Sequence, residues 1–359
     1  MNENIHNLLV WYQSYHRQLP WRETSNPYFI WLSEIILQQT RVDQGIPYYI
    51  RFTEKYPTVF HLASANQQEV FKLWQGLGYY NRAANMLKAA KEIADTYQGE
   101  FPKDIELLKK LPGIGPYTAA AIASLAFNLP HGVVDGNVYR VLSRVYGIST
   151  PINSGGAHLQ FLKLAEELMS THSPALFNQA VMELGALICK PQNPDCTNCP
   201  LQSGCFAFSQ NQQGNFPVMA PKAKQQTVYL TYFVISAIKD QTPHLLLNQR
   251  KKTGIWANLF DFPSFETKQP LDMDEAIHNA IEKKWLPADS FHIKHVSNEY
   301  KHLLTHRILL ARFISIEIEN NLPAHLIKSL LLIKHTSLFE YPVPVLVDKY
   351  LRDVQLIRQ

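Results

Sequence analysis

The sequence has 359 residues, 46% hydrophobic and 11% aromatic, enough to bury one large core and a second beside it. The formal net charge of +4 is uneven: 16 basic residues face 16 acidic ones up to Phe208, and 18 face 14 beyond it. Any polyanion held by the first part must therefore be held by local geometry and backbone donors rather than by bulk charge. The start, MNENIHNLLVWYQSYH, lacks a basic stretch followed by an unbroken apolar one, and no apolar run approaches the roughly 18 residues of a membrane span; a soluble, cytoplasmic, two-domain protein is expected.

In chain order, residues 5–208 read as helix after helix. YFIWLSEIIL, EVFKLWQGLG, NRAANMLKAAKEIADTY, GPYTAAAIASLAF, NVYRVLSRVYG and HLQFLKLAEELMSTH are predominantly apolar or carry apolar residues three or four apart, with Gly, Pro or Asn at several ends. Glu34 is the one charged residue of the first of these. Burial would raise its pKa and leave it protonated enough to act as a general acid, although from local sequence alone a buried carboxylate paired with a distant arginine is the more common arrangement. LPGIGPYTAAAIASLAF follows the helical DIELLKK and places Gly113 and Gly115 ahead of Pro116 at a helix start. Free amides at that helix head, helped by its dipole, make a phosphate site that needs no lysine, although an ordinary interhelical turn reads the same way. In VVDGNVYRVLSR, Asp135 precedes a helix carrying Val138, Leu142 and Val145, which makes it a good N-cap whatever else it does.

All four cysteines fall in CKPQNPDCTNCPLQSGC, spaced Cys189-x6-Cys196-x2-Cys199-x5-Cys205. In a reducing compartment such a cluster is a metal site rather than two disulfides. Only one pair is short, whereas zinc sites pair two short knuckles. A 4Fe-4S cube needs one thiolate per iron and no fixed knuckle, so it fits better, with zinc as the alternative. The loop carries no acid-base pair, and its role is structural. Residues 209–226, SQNQQGNFPVMAPKAKQQ, read as a linker. Beyond it TVYLTYFVISAI, HLLLNQR and ILLARFISIEI are strand-like, with DEAIHNAIEKKW helical between them.

The LPGIG hairpin, the aspartate of VVDG and the cysteine spacing together resemble the endonuclease III superfamily of base-excision DNA glycosylases, over about Leu8 to Phe208. Within it, LPWRETSNPYFIWLSEIILQQTRV, GLGYYNR, FNQAVMELGAL and the extra C-terminal domain resemble the MutY family of adenine glycosylases. The fold implied is multidomain. Residues 1–208 would form an all-α helix-hairpin-helix glycosylase domain, with the hairpin at 111–115 and a 4Fe-4S cluster loop at 189–205. After the linker, 227–359 would form an α+β Nudix-like domain that recognises the opposite base. AIHNAIEKKW lacks the REx2EExG carboxylates of a Nudix hydrolase, so this domain should bind rather than hydrolyse.

The activity implied is removal of adenine mispaired with 8-oxoguanine or guanine in double-stranded DNA, by a monomer associated with the nucleoid. The resemblance makes Glu34 the acid and Asp135 the stabiliser of the sugar cation, with Tyr117 and Asn137 orienting it. Gln39 and Tyr79 would wedge into the duplex, Thr40 would bind beside them, and Trp21, Arg22 and Gln179 would line the adenine pocket. Gly113 and Gly115 would hold phosphate, and Cys189, Cys196, Cys199 and Cys205 would hold the cluster. Tyr117 stands where bifunctional relatives carry a lysine nucleophile, so the product should be an intact abasic site. Leu304, Thr305 and His306 align with the family's Phe-Ser-His lesion loop; leucine there removes an aromatic face. Two other readings stay open: an endonuclease III-like glycosylase and lyase for oxidised pyrimidines, and a non-enzymatic iron-sulfur DNA-binding protein.

Overall fold

Helix starts in the first part are set by the residues just before them. Asn26 accepts a hydrogen bond from the Tyr28 N–H and Pro27 takes the first helical position, starting a helix at Pro27–Leu37. Asp104 accepts from the N–H groups of Glu106 and Leu107 ahead of Ile105–Lys110, and Ser173 with Pro174 starts Pro174–Leu187. Each cap satisfies an N–H that the helix itself cannot.

The structure is a computed structural model that describes residues 2–221, 225–251, 254–304, 306–319 and 330–356. These fall into two compact units, one formed by Met1–Ala65 and Asn85–Pro221, the other by Asn66–Ala84 and Lys222–Gln359. In chain order the first unit contains α1 (Asn2–Tyr15), α2 (Pro27–Leu37), α3 (Val42–Lys55) and α4 (Val59–Ala63); α5 (Gln67–Trp74) belongs to the second. Helix α6 (Asn81–Thr96) begins in the second unit, and α7 (Ile105–Lys110), α8 (Pro116–Phe127), α9 (Gly136–Tyr146), α10 (Ala157–Met169), α11 (Pro174–Leu187) and α12 (Phe206–Ser209) complete the first. Leu8 and Tyr12 of α1, Val138 and Leu142 of α9, Phe161 of α10 and Phe177 and Leu184 of α11 share one core. Burying such side chains at helical spacing is what holds the unit together.

The second unit is built on a mixed sheet. Strand β1 (Gln226–Lys239) runs antiparallel to β2 (Thr242–Gln249), and β3 (Phe260–Asp261) pairs with β2 while β4 (Ser264–Thr267) pairs with β1. After α13 (Met273–Glu282) come β5 (Phe291–Val296), β6 (Tyr300–Leu303) and β7 (Arg307–Ile318); β7 is parallel to β1 and antiparallel to the other two. Strand β8 (Leu331–Lys334) pairs with β2, and α14 (Val345–Asp353) closes the described chain. Alternation along β1 sends Leu230, Tyr232 and Val234 to one face against Val347, Tyr350 and Leu351 of α14. Phe233, Ile235 and Ala237 go to the other, against Ala276 and Ala280 of α13. A period of two buried on both faces is the signature of a sheet covered on each side.

Candidate active site

Glu34 is the single carboxylate of an otherwise apolar α2, whose Tyr28, Ile30, Trp31, Leu32, Ile35 and Ile36 are all buried. The helix thus carries it to the floor of a cavity of about 570 Å3, lined also by Tyr117, Asp135, Asn137, Trp21, Arg22, Gln39, Thr40 and Gln179. Nine of the residues singled out in the sequence therefore meet in one place. Burial first, then the charge of Asp135, pushes the Glu34 carboxyl from its ordinary 4.5 up to about 7, although a hydrogen bond with Tyr117 opposes the shift. A carboxyl poised there donates a proton at neutral pH. Burial beside two carboxyls pushes the Tyr117 phenol well above its ordinary value, so it stays a neutral donor.

Asp135 is the N-cap of α9, and it lies in the cavity as well. Its Oδ1 accepts from the N–H groups of Asn137 and Val138 at 2.8 Å each, and its Oδ2 accepts from Asn137 Nδ2 at 2.7 Å. Burial raises its pKa, and these three donors act in the opposite direction. The capping role and a place in the site are therefore not alternatives. Arg140 holds Asn137 in turn: its guanidinium donates to Asn137 Oδ1 and to the carbonyls of Gly185 and Cys189, each at 2.7 Å.

Arg22 lines the cavity but its guanidinium is spent elsewhere, donating to both oxygens of Glu183 at 2.9 and 2.7 Å and to the Arg17 carbonyl. Arg17 binds the same carboxylate. Burial alone would raise Glu183; the hydrogen bonds from Arg22 and Arg17 overcome it and bring the carboxyl down to about 2. Sequence gave no sign of this pair, since the partners lie 161 and 166 residues apart.

At the hairpin, Gly113 has φ +76°, and a Cβ there would lie 2.7 Å from Asn85 Cβ. Glycine is required on both counts. Gly115 is different: it is extended, with open space where a Cβ would be, so its smallness is not used within the protein. No side chain caps α8, so its leading amides have no capping acceptor within the described residues.

The four cysteines line one small cavity together with Arg144, Leu184 and Phe208. Buried Arg144 donates to Cys189 Sγ at 3.4 Å and to the carbonyls of Lys190, Pro191 and Gln213, tying the loop to α9. Among the described residues no three acidic, histidine or cysteine side chains converge as ligands of a single metal ion.

Two family profiles match the chain: "HhH-GPD superfamily base excision DNA repair protein" over residues 32–166 and "NUDIX domain" over 232–353. Adenine DNA glycosylase of Buchnera aphidicola subsp. Baizongia pistaciae is 37% identical over 84% of this chain and 82% of its own. The rat enzyme of that name is 35% identical over 89% and 71%, and the human one 33% over 88% and 67%. The chain belongs to the adenine DNA glycosylase family. Among solved structures it is similar to a thermostable thymine-DNA glycosylase, with TM-score 0.53, 30% identity and 57% of this chain covered against 95% of that one. A trapped endonuclease III-DNA covalent intermediate gives TM-score 0.50 and 25% identity over 58% and 94%.

The adenine glycosylase family's remaining candidate residues lie in the second unit. Tyr79, at φ 48° and 48% exposed, lines a cavity of about 620 Å3 with Leu304, His302 and Trp256. His306 is exposed and does not line it, and Thr305 lies outside the described residues. Sequence reasoning missed Arg17, Glu183, Arg140 and Gly185. A signal existed only for the last: glycine inside a helix costs about 1 kcal/mol and needs a reason. Here a Cβ would lie 2.5 Å from Asn137 Cβ, so glycine lets α11 approach the start of α9.

Proposed function

We propose that the chain is a monofunctional adenine DNA glycosylase of base-excision repair, acting on adenine opposite 8-oxoguanine or guanine in double-stranded DNA. The observation that carries this reading is Glu34, raised to about 7 in the same cavity as the hydrogen-bonded Asp135 carboxylate. Glu34 transfers its proton to N7 of an adenine swung out of the stack. The C1′–N9 bond then breaks with its electron pair leaving on the base, and Asp135 stabilises the positive charge that develops on the sugar. Water adds to C1′ and loses a proton, leaving an abasic site. Tyr117 offers no amine for a Schiff base, so the strand stays intact.

Duplex binding is supported by the likeness to the endonuclease III-DNA complex and by the hairpin, where Gly115 lets a phosphate approach the uncapped amides of α8. Gln39 and Tyr79 act at the mispair, and Leu304, Thr305 and His306 read the opposite base. Every group of the chemistry comes from one chain, which suits a monomer working on the chromosome in the cytoplasm. The four cysteines suit a 4Fe-4S cluster. They share one cavity without converging on a single ion, and burial and mutual charge push Cys199 up to about 12, so as bare thiolates they would repel. The cluster's contribution is structural, pinning residues 189–205, and no step of the reaction runs through it.

The test is single-turnover incubation with duplexes carrying adenine opposite 8-oxoguanine, guanine or thymine, and thymine glycol opposite adenine. Adenine release from the first two, with strand breaks appearing only after alkali, is expected. Cleavage at thymine glycol would favour the lyase reading, and binding without release from any duplex would favour a non-enzymatic protein. Iron and sulfide analysis tests the cluster; stoichiometric zinc without iron would refute it.

A further inference from the structure

Tyr12, buried and not among the residues that line the cavity, makes a contact that no part of the chemistry above uses. Its hydroxyl lies 2.6 Å from Gln179 Oε1. Tyr12 itself is 4% exposed and held on two sides, stacked on His16 at 4.8 Å and beneath the Arg22 guanidinium at 5.7 Å. Arg22 is in turn fixed by Glu183. The phenol ring is thus held by burial, His16 and Arg22 as well as by its bond to Gln179.

The contact pairs the Tyr12 hydroxyl with the amide oxygen. O–H···O bonds cluster near 2.7 Å, whereas N–H···O bonds are longer, near 2.9 Å, so 2.6 Å fits a hydroxyl donating to the amide oxygen. Burial pushes the Tyr12 phenol above its ordinary value, which keeps the proton needed for that donation. With Oε1 taken, the end of Gln179 left for the cavity is Nε2, which has no hydrogen-bond partner among the described residues. An amide can turn either way, and only its surroundings decide which end faces a ligand.

We propose that Tyr12 is a positioning residue: its hydroxyl locks the Gln179 amide so that the pocket presents Nε2 as a donor to a ring nitrogen of the base other than N7. This rests on the adenine-excision reading. Adenine presents N1 and N3 as acceptors, whereas guanine presents N1 as a donor. A donor fixed in this way accepts the former and opposes the latter. With the amide free to turn, Gln179 would offer its oxygen to a guanine-like edge, and the selectivity would relax.

The experiment is single-turnover release of adenine, 1-deazaadenine and 3-deazaadenine, each opposite 8-oxoguanine, by the full-length protein and by Tyr12→Phe, Gln179→Met and the double variant. The wild type should release one of the two deaza bases about tenfold more slowly than adenine, the worth of one hydrogen bond. Tyr12→Phe should keep the ring, the fold and duplex affinity, yet bring that ratio to within about twofold. Gln179→Met should do the same, and the double variant should be no worse than Gln179→Met alone. A lowered melting temperature with the full tenfold ratio intact would make Tyr12 merely structural and overturn the proposal. Equal losses on adding Tyr12→Phe to Gln179→Met would overturn it too. A wild type that releases no adenine at all would sink the adenine-excision reading, and this inference with it.

Discussion

Glu34→Gln should abolish adenine release and at the same time stabilise the protein above neutral pH. In the unfolded chain a glutamate titrates near 4.3; in the fold Glu34 titrates at about 7. The folded state therefore binds the proton more tightly, and the stability tied to it is lost as pH rises through about 7. Moving a carboxyl from 4.5 to about 7 corresponds to about 3 kcal/mol, at about 1.4 kcal/mol per tenfold in proton affinity. Glu34 keeps some contact with the cavity, and screening there reduces the figure to about 1 to 3 kcal/mol. For a unit of about 200 residues this is a rise in melting temperature of about 2 to 12 °C at about pH 8.5. At about pH 5 the gain should shrink below about 1 kcal/mol, because the ionised form is then scarce in the fold. Thermal melts of both proteins across this range, followed by tryptophan fluorescence, measure the difference directly. A melting-temperature gap that stays constant with pH, or a variant less stable than wild type at about pH 8.5, would refute the account of Glu34 as a carboxyl strained by burial.

Other expectations follow from the same geometry. Wild-type single-turnover excision should fall about tenfold per pH unit above about 7 as Glu34 loses its proton, and a flat profile would exclude it as the acid. Glu183→Gln strands Arg17 and Arg22 and should cost about 3 to 5 kcal/mol in urea unfolding. Because Glu183 is held down at about 2, the wild type should lose this contribution as pH falls from about 5 to 2, a loss the variant should not show. Gly185→Ala pushes a methyl into Asn137 and should cost about 1 to 3 kcal/mol while lowering excision more than duplex affinity; unchanged kinetics would mean Asn137 does not matter. Gly113→Ala, at positive φ and against Asn85, should destabilise by about 1 to 3 kcal/mol and weaken duplex binding.

What was legible in the sequence was local. The Asp135 cap, the hairpin, the cysteine spacing and the strand-like runs all act over a few residues, and the structure has each where the pattern puts it. What was hidden is non-local. Nothing in EVFKLWQGLG shows that α5 joins the unit of Lys222–Gln359, because an amphipathic face records that it is buried and not against what. Arg22 illustrates the same limit: the family resemblance put it in the pocket, whose cavity it lines, but nothing local showed that its guanidinium is held by a carboxylate far away in the chain. Gly115 taught the reverse lesson. The pattern treated both hairpin glycines alike, yet only Gly113 needs its backbone freedom.

The assignment of Asn66–Ala84 to the second unit has a consequence for how the protein is made. Val70, Phe71 and Trp74 of α5 are buried in the finished molecule, Gln75 donates to Asp348 and Tyr80 to the Val343 carbonyl. Those partners lie 273 and 263 residues further along the chain. At about 5 to 20 residues per second, the α5 segment waits roughly 15 to 55 seconds between its own emergence and theirs. During that interval the segment lacks the partners that Gln75 and Tyr80 bond in the finished unit, and apolar surface left exposed in this way invites chaperones and aggregation.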